Sequence, residues 1–289
     1  MGYGDEIIAT AEAKEAKKKF SKAKILIGDG KKIHPSLIYL NNPNIFQNSN
    51  VTAEGDYIWI LNYINNRPYV DYLNSNSERI IWDNKFSTKP GEIYLSNSEK
   101  KLGIGTIKNA TKLWEDSFSK RSKFTVVIEP NVKSTNYKKI TGSSTIGYSN
   151  INRDWGFDKW QSVVNALKDR IIFIQPYKGD VRKLSNVVHI DCNFRGALSV
   201  LNQCDMFLGT HSGYSHAAAA LKKDAINIFG GWISPEIMGY KLHTNYYVDL
   251  TDSPCGSIQI CNHCKNCMDQ IKVEDIISSL EQKIINKKL

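Results

Sequence analysis

The residues best suited to bind a phosphate lie in a loop that follows a predicted strand in the C-terminal part of the sequence. Met206–Leu208 predicts a buried strand, and the small polar loop Gly209–Gly213 leads from it into an alanine-rich helix. Ser212 or Gly213 is expected at the N-terminus of that helix, where free backbone N–H groups and the helix dipole favour a phosphate. His216, one turn into the helix, could donate to a phosphate oxygen. The alternative is an ordinary strand-to-helix turn with a serine cap and a histidine packed between helix and sheet.

Four of the six cysteines lie close together near the C-terminus, and thiols at this spacing can bind a metal ion. In a reducing compartment such a cluster predicts metal ligands or reactive thiols rather than disulfides. The spacing could supply a structural zinc site, although such sites usually consist of two separated pairs, and part of it resembles iron–sulfur spacing. Thiols without a metal are the alternative. The candidate ligands are Cys255, Cys261, Cys264 and Cys267, with His263 between them.

The C-terminal half of the sequence alternates predicted strands with predicted helices. Phe124–Ile128 is an apolar run typical of a buried strand, and Trp155–Leu167 has the apolar spacing of a helix. Further strands are predicted after it, and Val273–Lys288 predicts an amphipathic helix at the end. This alternation predicts an α/β fold in which helices cover a parallel sheet.

The N-terminal half gives a weaker pattern. Glu6–Phe20 has the composition of a helix, but the region around Asn62–Tyr72 shows no clear period. The polar stretch at residues 135–148 predicts a boundary between two domains. We therefore expect an N-terminal domain of residues 1–140 and a C-terminal domain of residues 141–289.

The composition excludes a disordered protein, because 41% of the 289 residues are hydrophobic. The net charge of +9 favours an anionic partner such as a nucleotide, a phosphorylated acceptor or an acidic membrane surface. A lysine-, asparagine- and isoleucine-rich composition without functional meaning explains the charge equally well. The sequence has neither a span of roughly 20 apolar residues nor a secretory signal, which predicts a cytoplasmic protein. Its lysine-rich first helix could contact the cytoplasmic membrane face, although a solvated helix face is the simpler explanation.

The segment Gly209–Leu221, followed by Ile226–Gly231, resembles the donor-site signature of glycosyltransferase family 9, the family of the ADP-heptose:lipopolysaccharide heptosyltransferases. The family pattern is an acidic residue, Thr, Gly, two residues, His and an Ala/Leu helix, then a short strand that ends in Phe/Tyr-Gly. The sequence departs from it at His211, where typical members carry Asp. The matching residues are Ser212 in place of Thr, Gly213, His216 and Gly230.

Two further segments resemble this family in the expected order. Gly4 and Asp5 are similar to its N-terminal Gly-Asp, whose aspartate serves as the catalytic base, although the usual preceding strand is missing from the sequence. Arg153, two residues before Trp155, is similar to the basic residue of a Lys-x-Trp segment that contacts the donor phosphates. Without the resemblance, Asp5 would be interpreted as a helix N-cap and Arg153 as a solvated surface charge.

The resemblance implies a GT-B fold, in which two Rossmann-like domains with parallel sheets face each other across a cleft. The acceptor would bind the N-terminal domain and the nucleotide sugar the C-terminal domain. The implied reaction is inverting, metal-independent transfer of a sugar, such as a heptose, from a nucleotide-diphosphate sugar to a glycan or lipid-linked acceptor, as in lipopolysaccharide biosynthesis. The resemblance also implies that catalysis requires no cofactor. The implied residues are the base Asp5 and the donor-binding residues Arg153, Ser212, Gly213, His216, His211 and Gly230.

Two other functions fit parts of the sequence. The positive charge would suit a nucleic-acid-binding protein or a glycosyltransferase that acts on modified DNA bases. The sequence shows no aromatic and basic motif of a known nucleic-acid fold, so nucleic acid is not the expected partner. A non-catalytic nucleotide-binding protein is the second alternative, and His211 in place of an acid favours it. A sugar-stacking acceptor wall competes with an ordinary aromatic core at Trp59, Tyr63, Arg67, Tyr69 and Tyr72.

Overall fold

The computed structural model describes residues 2–47, 56–63, 66–119, 122, 124–132 and 148–288, so the predicted boundary at residue 140 lies outside the described residues. The fold is α/β, as predicted. The helices are α1 (Tyr3–Lys19), α2 (Asn97–Phe118), α3 (Phe157–Leu167), α4 (Phe194–Gln203), α5 (Gly213–Ala220), α6 (Pro235–Met238), α7 (Asn262–Gln270) and α8 (Val273–Lys288). The strands are β1 (Lys24–Ile27), β2 (Tyr57–Ile60), β3 (Val70–Asp71), β4 (Ile81–Trp82), β5 (Thr125–Glu129), β6 (Ile172–Tyr177), β7 (Val188–Asp191), β8 (Met206–Thr210), β9 (Asp224–Gly230) and β10 (Thr244–Tyr247).

Helix α1 is stabilised at both ends by charges that complement its dipole. Asp5 in its first turn accepts a hydrogen bond of 3.4 Å from the backbone N–H of Gly2, and Lys17–Lys19 form the last turn. Ile7 and Ile8 in its middle are almost completely buried. The helix is therefore part of the hydrophobic core, and its first turn is held in a fixed position.

The N-terminal region contains two small sheets. Strands β1 and β2 pair in parallel, from Lys24 opposite Tyr57 to Ile27 opposite Ile60, and β3 pairs with β4 in antiparallel orientation. Over the described part of this region, the parallel sheet is thus smaller than the Rossmann-like sheet that the resemblance implies.

Strands β5 to β10 form one parallel sheet in the order β10-β9-β8-β5-β6-β7. This is the strand order of a doubly wound nucleotide-binding fold, in which the direction of winding reverses between β5 and β8. Ligands of such folds bind outside the carboxyl ends of the strands at the reversal. Because β5 belongs to this sheet, a boundary that keeps the sheet in one domain lies before Thr125. The predicted division at residue 140 stays a prediction.

Helices cover both faces of the large sheet. Val126 and Ile128 pack in a cluster with Trp160 of α3 and Leu280 of α8, whereas Val127 packs in the cluster that contains Ile7 of α1. Burial on both faces explains the continuous apolar runs of these strands. Helix α8 has the bounds predicted from the sequence. Within the described ranges, none of the helices combines the length and the hydropathy of a membrane span.

Helix α2, which the sequence analysis did not predict, joins the N-terminal region to the large sheet. Gly103 allows α2 to approach α4 closely, since a Cβ there would lie 2.2 Å from the carbonyl oxygen of Ser199. Arg195 of α4 donates to both carboxylate oxygens of Glu99, at 2.5 and 3.1 Å. This guanidinium lowers the pKa of Glu99 to about 2. This bidentate ion pair therefore links α2 to α4.

Candidate active site

Helix α5 begins at the reversal of the large sheet, directly after β8. Ser212 is its N-cap, as predicted: its side chain accepts from the N–H of Tyr214 at 3.2 Å, and its own N–H donates to Oγ of Ser215 at 3.1 Å. The N–H of Ser215 is bonded to the carbonyl of Ser212 at 3.1 Å. The N–H groups of Tyr214 and Ser215 are therefore not free for a phosphate. This differs from the expectation that free backbone N–H groups at this turn would bind one.

The first turn of α1 packs directly on the first turn of α5. A Cβ on Gly213 would lie 3.4 Å from the backbone nitrogen of Gly4, and a Cβ on Gly4 would lie 3.0 Å from Cδ2 of His216. The contact at Gly4 is tight and that at Gly213 is ordinary van der Waals contact, so the two turns pack closely and a side chain at Gly4 would press on the His216 ring. The structure thus brings together two segments that the sequence analysis singled out separately. Asp5 follows in the same turn of α1.

Asp5 is buried and both of its carboxylate oxygens have partners. The Tyr69 hydroxyl donates to Oδ1 at 2.5 Å, and Nε of Arg67 donates to Oδ2 at 3.2 Å. Burial, and next the Asp5 charge, raise the pKa of Tyr69 well above its usual value, so the phenol remains a donor. From the sequence, Arg67 and Tyr69 could belong either to an acceptor wall or to an aromatic core. The structure instead places both against the candidate base.

The other three residues of this set are Trp59, Tyr63 and Tyr72, and they do not lie on one common surface. Tyr63 is completely buried and its hydroxyl donates to Glu12 at 3.1 Å, so it belongs to the core. Tyr72 is about half exposed, and its hydroxyl accepts from the backbone N–H of Arg67 at 3.0 Å. Trp59 lies beside Gly28, where a Cβ would be 2.6 Å from its ring. A continuous sugar-stacking surface is therefore not formed by this set.

Arg153 is a partly buried cation close to the candidate base. Its guanidinium donates to the backbone carbonyl of His211 at 3.2 Å and lies 5.0 Å from the ring centre of Trp232. Burial lowers its pKa to about 10, against the opposing effect of the nearby Tyr69 and Asp5. Arg153 therefore remains charged at neutral pH. It is not the solvated surface residue that its sequence context alone suggested.

His216 uses both of its ring nitrogens inside the protein. Its Nδ1 lies 2.7 Å from the hydroxyl of Tyr240, and its Nε2 lies 3.2 Å from Nε2 of His211. Burial lowers the pKa of His216 to about 4, so the ring is neutral at physiological pH. A hydrogen bond to a phosphate, as the sequence analysis expected, would require His216 to give up one of these partners.

His211 continues this chain of rings toward the sheet. Its ring stacks on Phe229 with centroids 4.8 Å apart, and burial, followed by His216 and Arg153, lowers its pKa well below the usual value. Its Nδ1 is buried and has no hydrogen-bond partner in the described part of the chain. If Tyr240 donates to His216, His216 donates to His211, and a neutral His211 then carries its proton on Nδ1. A lone N–H donor of this kind suits an anionic ligand.

Gly230 ends β9 on the side of the cysteine-bearing helix. Its φ of +65° favours glycine, and a Cβ there would lie 2.7 Å from Cε of Met268 in α7. The contact explains why a glycine is required. A contact of Gly230 with a donor stays a prediction.

Three of the four predicted metal ligands converge. Sγ of Cys255 lies 2.9 Å from Sγ of Cys264 and 4.0 Å from Sγ of Cys261, and all three sulfurs lie within 4.8 Å of one another. Cys267 points elsewhere, with its Sγ 3.6 Å from Nε2 of His263. The hydrogen bond from Cys264 lowers the pKa of Cys255 to about 6. Three converging thiols, one of them readily ionised, fit a soft metal ion such as zinc or iron.

Three residues at this site were missed by the sequence analysis. Trp232 and Tyr240 follow the Gly230-Gly231 pair, and their aromatic character was the available signal. Glu129 ends β5 at the reversal of the sheet, and burial raises its pKa to about 7. A polar residue at the end of a predicted buried strand was the signal for it.

At the level of sequence, no protein-family model and no curated protein matches this chain. Its fold is similar to those of solved glycosyltransferases. The iron-containing dodecameric glycosyltransferase TibC from enterotoxigenic E. coli H10407 is 12% identical, with a TM-score of 0.57 over 100% of this chain and 75% of TibC. The glycosyl transferase family 9 structure from Veillonella parvula DSM 2008 is 11% identical, with a TM-score of 0.56 over 99% of this chain and 95% of that one.

The heptosyltransferase WaaC of E. coli, solved with ADP, matches in part. It is 14% identical, and the match covers 56% of this chain and 44% of WaaC with a TM-score of 0.38. This chain therefore spans less than half of WaaC, and the match is too weak to define a common fold. The matches to TibC and the Veillonella protein cover this chain almost completely. They show that the chain shares the fold of these two glycosyltransferases, which is GT-B.

Proposed function

We propose that this protein is a glycosyltransferase that moves a sugar from a nucleotide-diphosphate sugar to an acceptor hydroxyl. One observation carries the proposal: a buried carboxylate, Asp5, lies in the helix turn that packs on the N-terminus of α5. A partly buried arginine, Arg153, lies close enough to Asp5 for the pKa of the guanidinium to be affected. A candidate base and an anion-binding group thus lie near each other, at the reversal of a nucleotide-binding sheet.

The proposed reaction is inverting and needs no metal ion. The acceptor hydroxyl gives its proton to Asp5 as its oxygen attacks the anomeric carbon. The bond from that carbon to the diphosphate oxygen breaks on the opposite face, and the electron pair leaves with the nucleotide diphosphate. Arg153 and the helix dipole of α5 stabilise the charge that develops on the leaving group. Tyr69 and Arg67 hold Asp5 in place.

The donor would bind the C-terminal half and the acceptor the N-terminal half. Ser212 and Gly213 at the helix N-terminus, Nδ1 of His211, and the nearby His216 and Gly230 are the proposed surroundings of the diphosphate. The resemblance to family 9 makes a heptose the first sugar to test and a glycan or lipid-linked molecule the first acceptor. Because nucleotide sugars are cytoplasmic metabolites, we also propose a cytoplasmic location, with peripheral contact to the membrane that carries a lipid-linked acceptor.

We propose separately that Cys255, Cys261 and Cys264 hold a structural metal ion, with zinc as the first candidate. A metal there would crosslink the loop before α7 to the helix itself and would take no part in sugar transfer. Metal analysis of protein purified without added metal tests this. One equivalent of zinc or iron, lost in a Cys255→Ser and Cys264→Ser double variant, is expected. Metal-free protein with unchanged thermal stability after chelation would contradict it.

Thermal-shift screening against ADP-, GDP-, UDP- and CDP-sugars tests the proposed function directly, since a ligand that binds the native state raises its melting temperature. We expect one nucleotide class to raise it at micromolar concentration. The selected donor should then be hydrolysed slowly in water and consumed faster with an acceptor. Donor binding without any turnover would support a non-catalytic nucleotide-binding protein instead. No shift with any donor would contradict both.

A further inference from the structure

The segment Cys255–Cys261, which we call the cysteine loop, lies against both sides of the candidate active site. Its first residues are bonded to the two residues that follow β9. Cys255 N–H donates to the Gly231 carbonyl at 2.9 Å, and Gly256 N–H donates to the Trp232 carbonyl at 3.1 Å. The indole N–H of Trp232 returns a bond of 2.8 Å to the carbonyl of Ser257. The loop therefore holds the ring on which the Arg153 guanidinium lies.

Asn152 connects the same loop to the residue next to it in sequence, Arg153. Its Nδ2 donates to the carbonyls of Ser257 and Gln259 at 3.1 and 2.7 Å, and its Oδ1 accepts from the N–H of Cys261 at 3.0 Å. Asn152 is 3% exposed, so water does not replace these bonds. Its whole amide group is engaged with one loop.

The loop also reaches the side of the base. Ile80 N–H donates to the Gly256 carbonyl at 2.8 Å, and the indole N–H of Trp82 donates to the Trp232 carbonyl at 3.0 Å. The Trp82 ring lies 6.3 Å from that of Tyr69, whose hydroxyl is bonded to Asp5. The cysteine loop is therefore connected to Arg153 through the Trp232 ring, and to Tyr69, which is bonded to Asp5, through Trp82.

We infer that Asn152 is a positioning residue, through which the state of the cysteine loop sets the placement of Arg153 and hence the affinity for a nucleotide diphosphate. This inference rests on the proposed function, because it takes Arg153 to bind the donor. Besides its hydrogen bond to the His211 carbonyl, Arg153 is supported by the backbone next to Asn152 and by the Trp232 ring, and both of these supports are bonded to this loop. A loop fixed by its converging thiols keeps both supports in place, whereas a loosened loop releases them together.

Coupling of this kind is reciprocal, so a nucleotide that binds at Arg153 must also steady the loop. The readout is the rate at which iodoacetamide alkylates Cys261, followed by mass spectrometry of its peptide in the presence of a chelator. Cys261 is partly exposed at the end of the loop. ADP, GDP, UDP and CDP are first tested on the wild-type protein by calorimetry, and the tightest of them is used as the probe.

We expect the probe to slow alkylation of Cys261 in the wild-type protein about tenfold, within the range of about 5- to 150-fold typical of coupled sites. Asn152→Ala should reduce this protection to about twofold and raise both the Kd of the probe and the donor KM about tenfold. The value of kcat at saturating donor should remain within about threefold. Asn165→Ala on the exposed side of α3 is the matched control, and it should behave as the wild type.

Asn152→Asp serves as a second variant if the alanine protein does not fold. It keeps the size and the acceptor for Cys261 but loses the donors to Ser257 and Gln259, so the same loss of protection is expected. Equal protection and equal Kd in wild type and both variants would overturn the inference while leaving the proposed function intact. If none of the four nucleotides binds the wild-type protein, the proposed function fails and the inference fails with it.

Discussion

The two sides of the candidate active site hold their polar groups in different ways. On the α5 side, His211 and His216 are buried, neutral and bonded to each other, with Tyr240 beyond them. On the α1 side, the Asp5 carboxylate is bonded to Tyr69 and to Arg67, whose side chain is 45% exposed. The first arrangement is a rigid neutral scaffold. The second is a charged group with one partner that solvent or an acceptor can displace.

This contrast indicates that the two sides of the site have different roles. A preorganised scaffold suits the binding of a donor whose charge must be stabilised without rearrangement. A carboxylate with an exchangeable partner suits proton transfer to and from an acceptor that enters later. Changes on the α1 side should therefore act on turnover, and changes on the α5 side on stability and donor affinity.

Asp5→Asn should give the largest effect. The amide keeps the shape and the hydrogen bond from Tyr69 but cannot take a proton, so kcat should fall by about 10²- to 10⁴-fold. The Kd for the nucleotide, measured by calorimetry, should change less than about threefold. Asp71→Asn, at a partly exposed carboxylate two residues after Tyr69 that accepts hydrogen bonds from Leu73 and Asn74, is the control and should leave both values unchanged. Turnover at the wild-type rate in the Asp5 variant would remove Asp5 from its role.

Acid should weaken the α5 side. Burial holds the pKa of His216 at about 4, below the value of about 6.5 in an unfolded chain, so the unfolded state binds protons first as the pH falls. The stability associated with this neutral ring is complete above pH 6.5 and is lost as the pH falls toward 4, by about 3 kcal/mol. Urea unfolding at pH 7.5, 6 and 5 measures the loss.

The His216→Gln variant sharpens that experiment, because its side chain does not titrate. The fall in unfolding free energy between pH 7.5 and 5 should be smaller in this variant than in the wild type. Comparison between pH 7.5 and 8.5, where His216 stays neutral in the folded protein and largely neutral in the unfolded chain, provides the baseline. An unchanged pH dependence in His216→Gln would show that His216 is not a buried neutral ring.

Arg153→Ala should weaken nucleotide binding about 10- to 100-fold, because a partly buried cation at the proposed diphosphate site is removed. Calorimetry gives the Kd, and a melting curve shows whether the variant is folded. Arg153→Lys keeps the charge but not the planar guanidinium over Trp232, so an intermediate Kd is expected. Arg170→Ala, at an exposed ion pair with Glu281, is the control. Unchanged affinity in the alanine variant would contradict the assignment of Arg153.

Tyr69→Phe should give the smallest of these effects, a fall in kcat of about tenfold with KM nearly unchanged. The ring remains packed against Trp82, but the hydrogen bond that orients Asp5 is lost. Tyr94→Phe, which removes a hydroxyl bonded to Glu92, is the matched control and should keep wild-type kinetics. A rise in KM with constant kcat would move Tyr69 from the base to the acceptor-binding surface.

The large sheet could be predicted from sequence because its strands are buried on both faces. The apolar run before Gly209 predicted β8, and the amphipathic pattern of residues 273–288 predicted α8. Helix α2 escaped prediction because Gly103 and Gly105 lower its helical propensity, although the capping box that starts at Ser96 was a usable signal. Its packing on α4 stabilises a helix that its composition alone does not indicate.

The candidate site was accessible to sequence in part. Its first and last members are far apart in the chain, and the resemblance to a known family, rather than periodicity, paired Asp5 with the α5 turn. The roles of Tyr69 and Trp232 depend on contacts that no local pattern encodes. The cysteine spacing predicted a cluster, but Cys267 lies one turn after His263 on the same face of α7, and its thiol contacts that ring rather than the other three thiols.

The most direct test of the account is a crystal structure with the nucleotide diphosphate that the thermal-shift screen selects. We predict that the distal phosphate lies at the N-terminus of α5, within hydrogen-bond distance of Arg153, with the Asp5 carboxylate facing the open side of that phosphate. A nucleotide bound away from the α5 turn, or a phosphate separated from Asp5 by the body of α1, would contradict the central claim.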